Sequence, residues 1–490
     1  MKKNFLRMIC LLAAVIMIFT AAACSDPGKD PVVTGGEDET TTRGSDEKLR
    51  PDIPEKLNED GFTLSILNYA EGSGYSKATL DVEYDEELSR VDEAIYRRNR
   101  KIEDEYKCTI SVEGVAVPST TLTTLVGAGD SSFDLSMCYE EWIGNVLTSI
   151  LGWDVLPNVD LTAPWWNVQG NRTFNIRGIQ FAATGDFSLS HYNKIYCFIY
   201  NKDLYNDVDT GYNLYEQVRN RTWTIERLYE IAKPFNRNLD GDINEITDDD
   251  GHGIVATSKV LFSLLLNGSG TKIIQSDKNG DPYFALDGRN QMDILQRIVE
   301  INTGDGGYFR NAPNPNDALY LSTYAKGNTL FYACILSGIG STPDYDFETG
   351  YMPAPLYDEQ QQNYHSVSIG GNVMVIPATI EKDRREDVST LLEYMSYLSR
   401  DTVVKEYVQT YLKTRMADGN DADMIQLMFD SVDYDLANNL FAKGARLAVN
   451  AKVFHPLVSG FSSILEGIKT DLESTIDSTL ENIEKMVTNG

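Results

Sequence analysis

Only four histidines, His191, His252, His365 and His455, occur in 490 residues, and they lie far apart. No HExxH, CxxC or GxSxG pattern is present, so the commonest zinc, redox and serine-hydrolase signatures are missing. Two other groupings could do chemistry. The run Asn238-Leu-Asp240-Gly-Asp242 leads into an acidic trio at 248–250 and sets oxygen side chains at alternate positions of a turn. Such oxygens converge on one point, as a hard cation with about six to eight ligands requires. The spacing predicts a structural calcium ion held by Asn238, Asp240, Asp242 and Asp249, with Asp249 twelfth counted from Asn238. That register puts Ile243 where Gly is usual, and the register from Asn236 puts Thr247 twelfth; an acidic surface turn is the rival reading. The second grouping is aromatic plus acid. Trp and Tyr faces stack on the apolar faces of sugar rings, while carboxylates and amides bind hydroxyls. The expected ligand-binding residues are Tyr69, Glu71, Tyr139, Glu140, Trp142, Asp186 and Tyr332, each with core packing as its rival. They favour a neutral, hydroxyl-rich solute, an oligosaccharide; the acidity leaves a basic peptide or polyamine as the alternative. No catalytic residue is expected. Glu140 and Glu141, adjacent on a strand, would point to opposite faces and not flank one glycosidic bond at roughly 5–9 Å.

These residues need elements to hold them, and ligands of open α/β sheets sit beyond the carboxyl ends of strands. Apolar/polar alternation predicts a strand from Phe62. Ser89 with Asp92 opens a helix whose Val91, Ile95, Ile102 and Tyr106 share a face. Strands follow at 108–112 and 133–137, with helical sequence between them, and that order signals a parallel, doubly wound sheet. The pattern recurs with a strand at 196–200, a helix at 223–235 started by Thr224, and an apolar stretch at 330–336. A strand at 373–376 ends at Pro377 and precedes an amphipathic helix through Leu391, Met395 and Leu398. A last helix after Pro456 carries Phe461, Leu465, Ile468, Leu472, Ile476, Leu480 and Ile483 at three- and four-residue steps.

The 42% apolar and 10% aromatic content supports a sizeable core, and the length suits roughly three ordinary domains or two large lobes. Lys plus Arg number 43 against 73 Asp plus Glu, a net charge of −30, which argues against nucleic-acid binding. At the N-terminus, Lys2, Lys3 and Arg7 precede an apolar run at 9–19 too short to span a bilayer, then Ala21-Ala-Ala-Cys24. This resembles a bacterial lipobox, which implies that residues 1–23 are a lipoprotein signal peptide and that Cys24 carries a diacylglyceryl anchor. Ala21 stands where Leu is usual, and an ordinary signal peptide cut nearby is the alternative. Residues 24–60 read as a disordered, solvated tether. Cys108, Cys138, Cys197 and Cys334 have no framework spacing, and buried free thiols are favoured over a disulfide.

The order of motifs resembles the extracellular solute-binding proteins of ATP-driven (ABC) importers, in the class related to maltose-binding protein, and more closely the lipid-anchored clostridial versions. The resemblance rests on Ala94-Ile-Tyr-Arg-Arg-Asn-Arg-Lys-Ile-Glu with Tyr106, Val159-Asp-Leu-Thr-Ala-Pro-Trp-Trp-Asn, Gly185-Asp-Phe-Ser-Leu, Tyr200-Asn-Lys, Trp223-Thr-Ile-Glu-Arg-Leu, Asn238-Leu-Asp-Gly-Asp and Gly350-Tyr-Met-Pro-Ala-Pro-Leu-Tyr-Asp-Glu-Gln. It implies a two-lobed periplasmic-binding fold of class II, with doubly wound sheets, a hinge and a C-terminal helical segment. Lobe 1 would comprise 61–185 plus about 366–417, and lobe 2 about 186–365 plus 418–490. It further implies a monomer on the outer face of the cell membrane, held by its lipid alone, that captures a carbohydrate and delivers it to permease subunits. Related binding proteins often carry a calcium loop here, so the resemblance also implies an ion that staples the loop without touching ligand. A sensory or adhesion lipoprotein on the same fold, or a lipid-anchored glycoside hydrolase, are the competing classes.

Overall fold

The computed structural model describes residues 50–71, 78–208, 210–239, 241, 247–286, 288–303, 317–337, 345–412, 419–441 and 461–489; the signal-like segment, Cys24 and the tether up to residue 49 lie outside them. The chain opens with β1 (Thr63–Tyr69), α1 (Arg90–Tyr106), β2 (Thr109–Val115), α2 (Pro118–Gly127), β3 (Leu135–Tyr139) and β4 (Ile150–Leu151). It continues through β5 (Tyr196–Asn201), α3 (Ile225–Ala232), β6 (His252–Val255), α4 (Ser258–Gly268), β7 (Thr329–Ile335) and β8 (Thr349–Met352). It returns by β9 (Ser366–Val367) and β10 (Asn372–Pro377) to α5 (Arg385–Ser399), then α6 (Gly419–Asp430), β11 (Val432–Asp433) and α7 (Phe461–Asn489).

Local chemistry sets several of these boundaries. Ser89 caps α1 by accepting the Asp92 N–H at 3.1 Å and donating its hydroxyl to the Asp92 carboxylate at 2.7 Å. Thr224 caps α3 by accepting the Arg227 N–H at 3.2 Å. The long terminal helix forms as its periodicity demands, with Leu465, Ile468, Leu472, Ile476 and Ile483 buried.

One sheet runs β2-β1-β3-β10-β4, with β1 parallel to β2 and β3, and β10 antiparallel to both β3 and β4. Leu64, Ile66, Met137, Met374 and Ile376 pack on one face against Ile102 of α1 and Val388, Leu391, Leu392 and Met395 of α5. Leu67 and Cys138 face the other way, towards Leu122 of α2. Helices on both faces make this the doubly wound lobe that the sequence pattern describes.

The second sheet runs β8-β5-β7-β6 and corrects the parallel reading: β5 is antiparallel to both its neighbours, and only β6 and β7 run parallel. Helices separate β5, β6 and β7 in sequence, but pairing direction depends on which strand lies beside which, and sequence order does not supply that.

Segments passing between the lobes run side by side. Ala183 bridges Met374, Ile195 bridges Ser368, and β9 pairs with β11. A second correction concerns residues 50–60, expected as the end of a solvated tether. Leu57 is buried, Asn58 and Glu59 donate their N–H groups to the Asp387 carboxylate at 2.8 and 3.0 Å, and Pro54 accepts the Tyr106 hydroxyl at 2.9 Å. A polar, proline-containing stretch reads as linker by composition, yet one buried carboxylate with two N–H partners is enough to dock it.

Candidate functional site

β1, β2 and β3 are adjacent and parallel, so their carboxyl ends open on one edge of the first sheet, where the Ala70 N–H reaches the Val115 carbonyl at 2.8 Å. Past β2 the chain turns at Val117 into α2, whose first turn has Pro118 and no side-chain cap. Past β3 it makes a short 3-10 turn over Glu140–Trp142. Between these two turns lies a cavity of about 540 Å³ lined by Val117, Ser119, Thr120, Thr123, Thr124, Trp142 and Asn145. None of the seven carries a charge. The wall is four hydroxyls, one amide and one indole face, a composition suited to a ring that is apolar on its faces and hydroxylated at its rim. Thr123 and Thr124 donate to the Ser119 and Thr120 carbonyls at 2.9 Å each, which leaves their hydroxyl oxygens as acceptors.

Of the expected ligand residues, Trp142 lines this cavity and Tyr139 packs edge-on against it, ring centroids 5.6 Å apart at 68°. Tyr69 is fully buried, and its hydroxyl accepts the Tyr139 N–H at 3.2 Å, so it positions Tyr139 from behind. Glu140, expected to reach ligand, is fully buried too and takes the Gly370 N–H on Oε1, while its own N–H donates to the Gly371 carbonyl at 3.0 Å. Gly370 has φ +89°, and a Cβ there would stand 3.0 Å from the Tyr139 hydroxyl, so both conformation and space call for glycine. Glu140 also works on Lys194 of the first crossing, whose burial lowers its pKa while the carboxylate offsets part of that effect. Glu140 and Glu141 lie on a 3-10 turn rather than on the strand expected for them.

The remaining expectations separate. Glu71 is exposed on the same sheet edge. Asp186 is buried away from the cavity, accepting the Tyr192 hydroxyl at 2.6 Å and facing Arg400 at 3.3 Å. Burial pushes its carboxyl up to about 6 against the pull of both partners. Tyr332 is buried in β7 beside Tyr324, ring centroids 5.6 Å apart. Both are packing and pairing residues here, because strand ends and mid-strand positions look alike in sequence. The wall hydroxyls are not among the expected residues, since Ser and Thr at three- and four-residue steps carry no signal beyond that of a helix surface.

Of the four calcium candidates, Asp240 and Asp242 lie outside the described residues. Asn238 accepts the Gly241 N–H at 2.8 Å. Asp249 departs from the expected arrangement: it is exposed and paired with Lys326 at 2.8 Å. The carboxylate that turns into the loop is Asp250, which is buried and accepts the Leu239 and Thr247 N–H groups at 2.8 Å each. Among the described residues no cluster of three or more His, Cys, Asp or Glu could hold a metal.

The paired tryptophans form a structural wedge, as their proline neighbour suggests. Trp165 and Trp166 donate their indole N–H groups to the two oxygens of Glu393 at 2.7 and 2.8 Å, all three side chains buried.

No protein-family model matches this sequence, and no curated protein matches it either. Solved structures do. A cyclo/maltodextrin-binding protein complexed with maltotetraose superposes with a TM-score of 0.53 at 12% identity, over 90% of this chain and 99% of that one. A cyclic α-maltosyl-1,6-maltose-binding protein from Arthrobacter globiformis gives a TM-score of 0.52 at 14% identity, over 87% and 99%. The chain has the two-lobed α/β fold of these binding proteins.

Proposed function

We propose that the chain is a substrate-binding protein of an ABC importer, and not an enzyme, which captures a carbohydrate between its lobes and passes it to permease subunits. The observation that carries the carbohydrate part of this reading is the uncharged, hydroxyl-rich cavity of the first lobe with Trp142 in its wall, placed at the carboxyl ends of three parallel strands, while the interlobe position follows from the two-lobed fold. In a chain of net charge −30, seven neutral lining residues are a selective feature, and they suit a neutral sugar better than a basic peptide. The fold shared with two proteins named for maltodextrin-type ligands supports the same class of solute. Against catalysis, the one fully buried carboxylate at this edge, Glu140, is engaged by the backbone of Gly370.

The finer parts of the reading rest on the sequence. Cys24 carries the lipid that holds the mature chain, as a monomer, on the outer face of the cell membrane. Calcium binds the loop after Asn238 and stiffens it without reaching ligand.

Thermal unfolding of the purified protein against a panel of neutral oligosaccharides, with uronic acids, polyamines and peptides as other arms, tests the assignment. A ligand present at 100 times its Kd stabilises by about 2.7 kcal/mol. A shift with a neutral sugar supports the reading, and a shift confined to peptides or polyamines overturns it.

A further inference from the structure

The four described cysteines are all present as buried thiols, but two of them are not isolated. β5 and β7 are antiparallel neighbours in register Phe331↔Tyr200, Tyr332↔Ile199, Ala333↔Phe198, Cys334↔Cys197 and Ile335↔Tyr196. Cys197 and Cys334 are therefore directly opposite each other, and opposed residues of an antiparallel pair point to the same face of the sheet. The Leu336 N–H donates to the Ile195 carbonyl at 2.8 Å, which fixes the phase of the ladder. Two residues further along, the cysteine pair is also of the hydrogen-bonded kind, with Cα atoms about 5.5 Å apart. That spacing falls in the middle of the range a disulfide spans, roughly 4.4–6.8 Å.

Cys108 and Cys138 make the contrast. Cys108 immediately precedes β2 and Cys138 lies in β3, two strands that β1 separates by about 9–10 Å, and the two thiols belong to different core clusters, so the sulfurs do not meet. Burial also pushes these thiols up, to about 11 for Cys108 and about 12 for Cys138, and neither has a second sulfur opposite it to close a bond.

We infer that Cys197 and Cys334 form an oxidisable cross-strand pair, a modification site that closes to a disulfide when the protein meets a small hydroperoxide. Cys334, 7% exposed against 0% for Cys197, is the point of entry. Its sulfur attacks one oxygen of hydrogen peroxide, the O–O bond breaks, and the proton given up by the thiol joins the departing hydroxide, so that a sulfenic acid and one water result (an alcohol in place of water for an organic hydroperoxide). The Cys197 sulfur then displaces hydroxide from that sulfenic sulfur, the thiol proton leaves with the hydroxide as a second water, and the S–S bond forms. Two thiols and one hydrogen peroxide thus give one disulfide and two waters, with two electrons passing from sulfur to oxygen. The bond is expected to be a labile one. Opposed Cβ atoms sit about 4.5–5.5 Å apart in a relaxed ladder, whereas a disulfide holds them near 3.8 Å, so closure draws two central strands together and stores strain.

The test uses the purified wild-type protein treated with hydrogen peroxide, then alkylated under denaturing conditions, digested and mapped by mass spectrometry. The expected product is a peptide pair joined through Cys197 and Cys334, lighter by two hydrogens and separated by dithiothreitol applied to the folded protein, while Cys108 and Cys138 remain alkylated. In Cys197→Ala, Cys334 should halt as a dimedone-reactive sulfenic acid or proceed to higher oxides. Full alkylation of both residues, after an exposure that has already converted exposed methionines to sulfoxide, overturns the inference. So does a link from either residue to Cys108, Cys138 or a second molecule. If Cys197→Ala does not fold, the wild-type map alone still decides between these results.

Discussion

Replacing Glu393 by Gln should change how stability depends on pH, and the size of the change follows from the site. Both carboxylate oxygens accept indole N–H groups, from Trp165 and Trp166, and Oε2 also receives the Asp160 N–H at 3.3 Å. Three donors favour the ionised form, but burial outweighs them and raises the pKa from 4.5 to about 7. Below about pH 4.5 the group is protonated in folded and unfolded chains alike and contributes no pH dependence. Between about 4.5 and 7 the folded chain keeps a proton that the unfolded chain has lost, so stability falls as pH rises. Above 7 the full penalty is present, about 3 kcal/mol at 1.36 kcal/mol per unit. Glutamine removes the titration, at the expense of one indole hydrogen bond, because its NH₂ group faces a donor; that loss, roughly 1–3 kcal/mol, is the same at every pH. Guanidinium unfolding of both proteins at about pH 5 and pH 8 separates the two effects. Between these pH values, wild type should lose about 2–3 kcal/mol more than Glu393→Gln. Equal losses would refute the idea that burial controls this carboxyl.

Trp142→Ala should weaken carbohydrate binding by about 1–2 kcal/mol, roughly 5- to 30-fold, with the ligand-free melting temperature nearly unchanged; titration calorimetry reads the first and a thermal scan the second. Lys202→Met should cost about 3–5 kcal/mol in urea unfolding, because Lys202 Nζ lies 2.8 Å from a fully buried Asp421 and its removal leaves that charge uncompensated. A loss below about 1 kcal/mol would mean that the Tyr215 hydroxyl and the Tyr351 N–H, at 2.6 and 3.1 Å, suffice for Asp421. Calcium at roughly 10 mM, some tenfold above the weakest extracellular-type Kd, should raise the melting temperature relative to chelator, and Asp240→Ala with Asp242→Ala should abolish the rise while leaving sugar affinity within a few-fold. Identical melting in both conditions would leave an acidic turn.

Features encoded over a few residues were legible in the sequence. Ser89 and Thr224 cap their helices as expected, since a cap needs only an oxygen and an N–H two or three positions on. The terminal helix shows its apolar stripe because burial there follows one period. Features encoded by distant partners were not. Arg98 and Asn99 are buried mid-helix, and their polar side chains reach the Leu80 carbonyl, a partner outside any helical pattern. Asp250 rather than Asp249 turns inward because the Leu239 and Thr247 N–H groups, 11 and 3 positions back along the chain, converge on its carboxylate once the loop folds. Likewise, Trp142 could be picked as an aromatic past a strand end, but the threonines opposite it acquire meaning only when α2 folds alongside.

The distribution of the five tryptophans also makes the molecule its own optical instrument. Trp153, Trp165 and Trp166 form one buried group in the first lobe, with the rings of Trp153 and Trp166 5.7 Å apart, while Trp223 is sealed in the second lobe, its indole N–H on the Pro353 carbonyl at 3.0 Å. Trp142 alone is only partly covered, at the cavity. Emission from one intact, unlabelled chain is thereby divided by location. A dissolved quencher reports on Trp142 and on whatever shields it, a shift in the blue component reports the charge state beside the paired indoles, and the Trp223 signal persists until the second lobe itself unfolds.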